Sequence, residues 1–542
     1  MLYNQGQRAI SPDLGLGPAG QSQTALSSSG FPTQVLNRNQ VSSTNRVPSF
    51  QQNSQPTTPA TQAAPLWPSI ACPPESFKKG DIRWMRNMNE VLQAIPGNQV
   101  IIPLVNEFFL EARRSWHPLH EVLVREEFRQ FLTHRSDPGF AFDPAWLALF
   151  CSMLCTSAID IQDNPASFSA SPIELQRMDL SRLSKDLLLA SDTALLCSDW
   201  MMRPQMRVLY TYLVRVSRSV DLEMMTGVVP GAYQTTIVGT MAGICKLLNL
   251  DQLGSDPLKM PDDDPMLPPG SSTLKRQLAC QAFNAVFFYD TFSEFRQGLN
   301  RNSLSYAFVA GSYTTEASQN FKETMNTTSI VPPRPLTEYT ENTWEVHKHR
   351  LAMHWRRTSE NLAVGFGSKT YETLLARDAE LREEHRELLD IEFVGINPND
   401  TSFGVMDSGY HQRFLNLHRP FLIRSYREPR YIYSQRSCVE SSFRITSLHR
   451  ETFSRPGLKA WYLYRHHLSA ITVLFIHALH TPYEVPRVKS ELRMSLELFE
   501  KSKVCKLPSI IRAAGRGDSI ILAMLQVSPY RTTEVVLLMS YG

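Results

Sequence analysis

The sequence of 542 residues carries 55 basic and 52 acidic side chains, a formal net charge of +3, and is 42% apolar. That apolar share supports a sizeable core, and 25 glycines are too few for a collagen-like chain. The balanced charge lacks the footprint of a dedicated nucleic-acid binder. The lack of a charge-free apolar stretch of about 18 residues argues against a membrane span. No basic-then-apolar leader follows Met1, so the expectation is an intracellular protein.

Taken in chain order, residues 1–73 read as a polar arm rich in Ser, Gln, Thr, Pro and Asn, expected to be a disordered tether. Within it Gly15, Gly17 and Gly20 reproduce the spacing of a dinucleotide-binding turn. Pro18 lies inside the motif and no strand precedes it, so no cofactor site is assigned. From Pro74 onward apolar positions recur at helical spacing. Ile101, Leu104, Val105, Phe108 and Ala112 define one face of a helix, with Asn98 the expected N-cap and Pro103 expected in the first turn. Residues 146–159 are apolar nearly all round and predict a buried helix.

Leu278, Ala282, Ala285, Val286, Tyr289 and Phe292 form a further stripe. Leu374, Leu381, His385 and Leu388 predict a solvated helix with a narrow apolar seam, and 461–479 predicts a core helix. Period-two alternation is scarce and Asn-Gly and Asp-Gly turns are absent, so the predicted class is all-α. Loops are expected at 256–270, 329–335 and 397–402. The run Asp262–Asp264 reads as a solvated acidic loop, since it lacks the spaced ligands of a calcium loop.

No phosphate loop, nucleophile elbow or zinc-protease helix is present in the sequence. Cys151 and Cys155 lie one helical turn apart, but lack the further ligands that zinc needs, and read as core thiols. The pairs His117/His120 and His477/His480 also lack a third ligand and read as structural. The richest basic stretch, Arg413–Arg436, includes Tyr426, Tyr431 and Tyr433. Its apolar face of Phe414, Leu415, Leu417, Phe421, Leu422 and Ile423 favours a structural element over a nucleic-acid track, with Pro420 and Pro429 expected to interrupt or end the helix. No catalytic, cofactor-binding or metal residue is assigned.

Several blocks, in order, resemble the regulatory (middle homology) domain of fungal zinc-cluster transcription factors. The first, 104–128, has an aromatic-rich helix leading to His117-Pro118 and on to Phe128. Then come the apolar helix 146–159 and the segment 239–250, ending Leu248-Asn249-Leu250 where the family has a Leu-Gly-Leu-like turn. Lys275-Arg276 with Phe287-Phe288-Tyr289-Asp290 and Gly298 is similar to the next block. Leu417-His418-Arg419-Pro420, with Ser434 and Cys438 downstream, is the best match. The resemblance covers about residues 95–480. It implies a non-enzymatic all-α regulatory domain over 74–542, a nuclear address, partners among other transcription regulators or the transcription machinery, and often a homodimer.

Family members usually carry an N-terminal six-cysteine module holding two zinc ions, which places a helix in the major groove. Only Cys72 precedes Cys151 here, so zinc is not expected in this chain, and DNA would be reached indirectly or through a module outside it. His418, Arg419 and Asp290 are expected to satisfy one another and helix ends inside the core. Phe287, Phe288, Tyr289 and Trp461 read as core more than as an inducer pocket. The rival readings are a DNA binder whose zinc module lies outside the chain and a helical intracellular enzyme whose site forms only in three dimensions.

Overall fold

The computed structural model describes residues 67–73, 81–115, 119–163, 173–226, 232–292, 307–321, 332–363, 368–391, 401–454, 461–505 and 507–526. The chain divides into Met1–Ala63 and Ala64–Gly542, and only the second contains described residues. Residues 1–66 of the disordered arm expected over 1–73, His117, Gly298 and most of the loop at 397–402 therefore lie outside the described residues.

Among those residues there are helices and no strand, as the periodicity predicts. In order they are α1 (Ile82–Ala94), α2 (Asn98–Ser115), α3 (Glu121–His134), α4 (Pro144–Asp163), α5 (Ile173–Arg177), α6 (Leu180–Cys197), α7 (Met206–Ser217), α8 (Ser219–Thr226) and α9 (Ala232–Leu247). There follow α10 (Thr273–Phe292), α11 (Thr343–Ala363), α12 (Ser368–Leu389), α13 (Ser402–Ser425), α14 (Ile432–Ser454), α15 (Trp461–His480), α16 (Val485–Ser502) and α17 (Pro508–Gln526).

The sequence of α4 explains its central place. Its segment Pro144–Gln162 is long and apolar enough to cross a membrane by composition alone, yet all of it is buried inside the protein, against α2, α6 and α7. A helix apolar on every side needs neighbours on every side, and here other helices supply them. On the expected face of α2, Ile101, Leu104, Val105 and Phe108 are buried. At the other end of the chain, α17 packs on α15 and α16 at Gly517, where a Cβ would come within 3.1 Å of Leu468 and Phe499.

Helix ends depart from expectation in instructive ways. Asn98 does not cap α2. The Gly97 carbonyl accepts from Val100 and Ile101, and the Asn98 side chain instead accepts from Arg135 at 3.1 Å. Pro103 lies beyond the first turn of α2 and the helix continues through it. His120 caps α3, its Nδ1 accepting from the Leu123 N–H at 3.3 Å. Just past the C-terminus of α9, Asn249 has φ of 52°, while Leu250 N–H donates to Cys245 O and Asn249 N–H to Lys246 O. That is a Schellman cap, and asparagine is the residue that best replaces glycine in its left-handed position. Leu-Asn-Leu thus does the structural work of Leu-Gly-Leu.

Two expectations about polar segments need correction. The acidic loop is not wholly solvated: Asp262 and Asp263 are exposed, but Asp264 accepts from Met206 N–H and Met266 N–H, each at 2.8 Å. It caps α7 from a distance, because the residue at the N-cap, Gln205, makes no side-chain cap bond. Residues 67–73, grouped with the arm on composition, pack on the helical unit. Ile70 is fully buried, its carbonyl accepts from Asp143 N–H at 2.8 Å, and Cys72 N–H donates to Ala141 O at 2.8 Å. Ile70, Trp67 and Cys72 supply apolar surface that the polar composition around them obscures.

Several buried charges among the described residues are paired. Arg207 on α7 is 1% exposed and donates to Glu127 of α3 at 2.5 Å, to Asp143 before α4 at 2.6 Å and to the Ser69 carbonyl at 2.6 Å. Burial pushes the Glu127 carboxyl up, partly offset by Arg207. On α11, Arg356 donates to Asp290 of α10 at 2.6 Å, and its guanidinium lies 4.0 Å from the centre of the Phe287 ring. Removing one member of such a set leaves a buried charge uncompensated. Arg207→Met is therefore expected to lower unfolding stability by about 3–5 kcal/mol, read as a clear fall in the urea midpoint. A midpoint equal to wild type would contradict this role.

Candidate functional site

The helices α12, α13 and α14 lie side by side, and each carries polar residues seven positions apart on the shared face. These are Asp378 and His385 on α12, His411 and His418 on α13, and Ser434 and Ser441 on α14. A seven-residue interval returns a helix to nearly the same face, so the polar groups meet in two tiers. Leu374, Leu381 and Leu388 form the buried seam expected of α12.

In the first tier His418 is fully buried. Its Nε2 lies 3.0 Å from Asp378 Oδ1 and its Nδ1 lies 2.9 Å from Ser434 Oγ. Asp378 Oδ2 accepts from Arg382 Nε at 2.9 Å and from the Tyr433 hydroxyl, and Arg382 Nη2 donates to Ser437 at 3.0 Å. Burial pushes the Asp378 carboxyl up, but hydrogen bonds from His418, Tyr433 and Arg382 outweigh it and hold the group lowered to about 2.

In the second tier Asp407 of α13 is buried. Its Oδ1 lies 2.8 Å from His385 Nε2 and 3.3 Å from His411 Nε2, and its Oδ2 accepts from Arg444 of α14 at 2.7 and 3.1 Å. His411 Nδ1 lies 3.3 Å from Ser441 Oγ. Burial opposes ionisation of Asp407, but these partners hold its carboxyl far below the usual carboxylate range. Phe414 separates the tiers. Its ring takes the Arg382 guanidinium at 4.5 Å and both histidine rings of the second tier at 5.7 Å. Among the described residues, His385, Asp407 and His411 are three metal-ligating side chains whose donor atoms all lie within 4.8 Å of one another.

Other residues singled out from sequence have structural partners. His477 Nδ1 lies 2.9 Å from the Tyr426 hydroxyl, and His480 stacks on the Tyr426 ring at 4.2 Å, so this pair grips a tyrosine. His418 pairs with Asp378 and not with Asp290, which belongs to Arg356, while Arg419 is exposed. Pro420 does not end α13, which runs on to Ser425, while Pro429 opens a short 3-10 turn before α14. Within the basic stretch Arg413 is buried with its guanidinium 4.5 Å from the Phe292 ring centre, and burial lowers its pKa to about 9. Arg424 and Arg430 pair with Glu428.

Phe287 is fully buried and packs on Tyr313. All eight cysteines are buried free thiols. Burial pushes Cys151, Cys155 and Cys438 up to about 12, so these thiols stay protonated at neutral pH. Cys151 and Cys155 share α4 and the other six cysteines lie elsewhere, and the metal-ligating group found among the described residues includes no cysteine.

Sequence reasoning missed the second tier. It placed His385 in the apolar seam of α12 and gave Asp407 and His411 no role. The signal was the shared seven-residue interval on three neighbouring helices, which becomes meaningful only once those helices are known to pack together. No family model and no curated protein matches the chain.

The lowered carboxyl of Asp378 has a definite pH sign. Its contribution to stability is complete above the unfolded carboxyl value near 4 and is lost as pH falls toward about 2. The difference in urea midpoint between wild type and Asp378→Asn is expected to be full at pH 6 and to narrow steadily below about pH 4. A gap that stays constant down to pH 3 would contradict the assignment.

Proposed function

We propose that the chain is a transcription regulator of the fungal zinc-cluster class, acting in the nucleus through a non-catalytic helical regulatory domain. Its partners are other transcription regulators or the transcription machinery, with a homodimer as one form. DNA is reached indirectly or through a zinc module outside this chain.

The reading rests on the ordered blocks of the sequence resemblance, and one observation carries it furthest. The residues of its best block, Leu417-His418-Arg419-Pro420 with Ser434 and Cys438, belong to one packed α13–α14 unit. His418 bonds Ser434 at 2.9 Å, and Cys438 is buried in a cluster with Leu415 and Leu422. Support also comes from the other blocks, whose polar residues serve internal structure: His120 caps α3, Asn249 caps α9 and Asp290 holds Arg356.

The test is to tether residues 74–542 to an unrelated DNA-reading domain upstream of a reporter gene in a fungal cell. The expected result is a several-fold change in transcription relative to the reader alone. A reporter level equal to that of the reader alone, with the fusion present in the nucleus, would overturn the proposal. Specific DNA binding by the purified chain, with the steep salt dependence of phosphate contacts, would overturn its non-DNA-reading part.

A further inference from the structure

We propose that His385, Asp407 and His411 form a binding site for a divalent transition cation of the zinc class, clipping α12 to α13. The inference is independent of the regulatory reading above. Asp407 and His411 are four residues apart on one helix, which puts their side chains on the same face, and His385 approaches from the neighbouring helix. Two imidazoles and one carboxylate are the donor set that suits zinc, cobalt or nickel and disfavours calcium and magnesium.

All three donor atoms lie within 4.8 Å of one another, and the two distances to the carboxylate oxygen are near those of a metal site. Tetrahedral zinc bonds of about 2.0–2.1 Å put neighbouring donor atoms roughly 3.3 Å apart. His411 Nε2 already lies 3.3 Å from Asp407 Oδ1, and His385 Nε2, at 2.8 Å, has to open only slightly. The cation then replaces the protons shared between each Nε2 and Oδ1.

The surroundings match what ligand histidines and carboxylates require. Ser441 Oγ lies 3.3 Å from His411 Nδ1, so it can take the proton there and leave Nε2 as the donor to metal. Arg444 holds Asp407 Oδ2 at 2.7 Å, leaving Oδ1 as the single coordinating oxygen. The same guanidinium offsets the carboxylate charge and so moderates the affinity. Asp407 is 1% exposed, but each imidazole is 13% exposed, so the cluster reaches solvent through its histidines.

The test uses the purified full chain, stripped with a chelator, dialysed and titrated with cobalt(II) and then zinc(II). The expected result is about one equivalent bound per chain, with the intense visible absorption of tetrahedral cobalt and displacement by zinc. His385→Asn and His411→Asn are each expected to weaken binding roughly tenfold or more, while His480→Asn leaves it unchanged. Zinc is also expected to raise the melting temperature of the wild type and not that of His411→Asn, after circular dichroism establishes that the variant is folded. Failure of the wild type to bind, binding unaffected by both His→Asn variants, or equal binding of magnesium would overturn the site.

Discussion

With no strands among the described residues to tie distant segments together, backbone hydrogen bonds hold each helix but do not set where one helix lies on another. Apolar contact supplies most of the attraction, yet it tolerates sliding, because one leucine fits against another in several registers. A buried charge is less forgiving. It must meet its partner at hydrogen-bond distance or carry a desolvation penalty of several kcal/mol. Arg207 joins α3, α7 and the start of α4 in this way, Arg356 joins α11 to α10, and the two tiers around Asp378 and Asp407 join α12, α13 and α14.

Much of the architecture was legible in the sequence because helical burial leaves a periodic trace. The stripe Ile101, Leu104, Val105 and Phe108 and the seam Leu374, Leu381 and Leu388 are buried as their spacing requires. The same periodicity does not reveal helix ends, which are set by whichever acceptor happens to be near. Asp264 caps α7 from a loop 58 residues away, and no local pattern around Met206 announces it. Ile70 was hidden for a related reason: a few apolar residues in polar surroundings have no period to read, though they find a place against Asp143 and Arg207.

The candidate site was less legible than the fold. A histidine among leucines, such as His385, looks like part of the seam, and no sequence pattern marks Asp407. Only the packing of α12 on α13 converts them into a set of converging donors. The Leu-His-Arg-Pro segment singled out His418 in the sequence, but not its partner Asp378, 40 residues earlier in the chain.

If buried polar pairs set the register of these helices, then the two members of a pair must be energetically coupled beyond their separate effects. A double-mutant cycle on Asp378 and His418, using Asp378→Asn and His418→Phe in chemical denaturation at pH 7, measures that coupling most directly. A coupling of about 1–3 kcal/mol is expected for residues in one buried network. Additivity within about 0.3–0.5 kcal/mol, the behaviour of independent sites, would contradict the account.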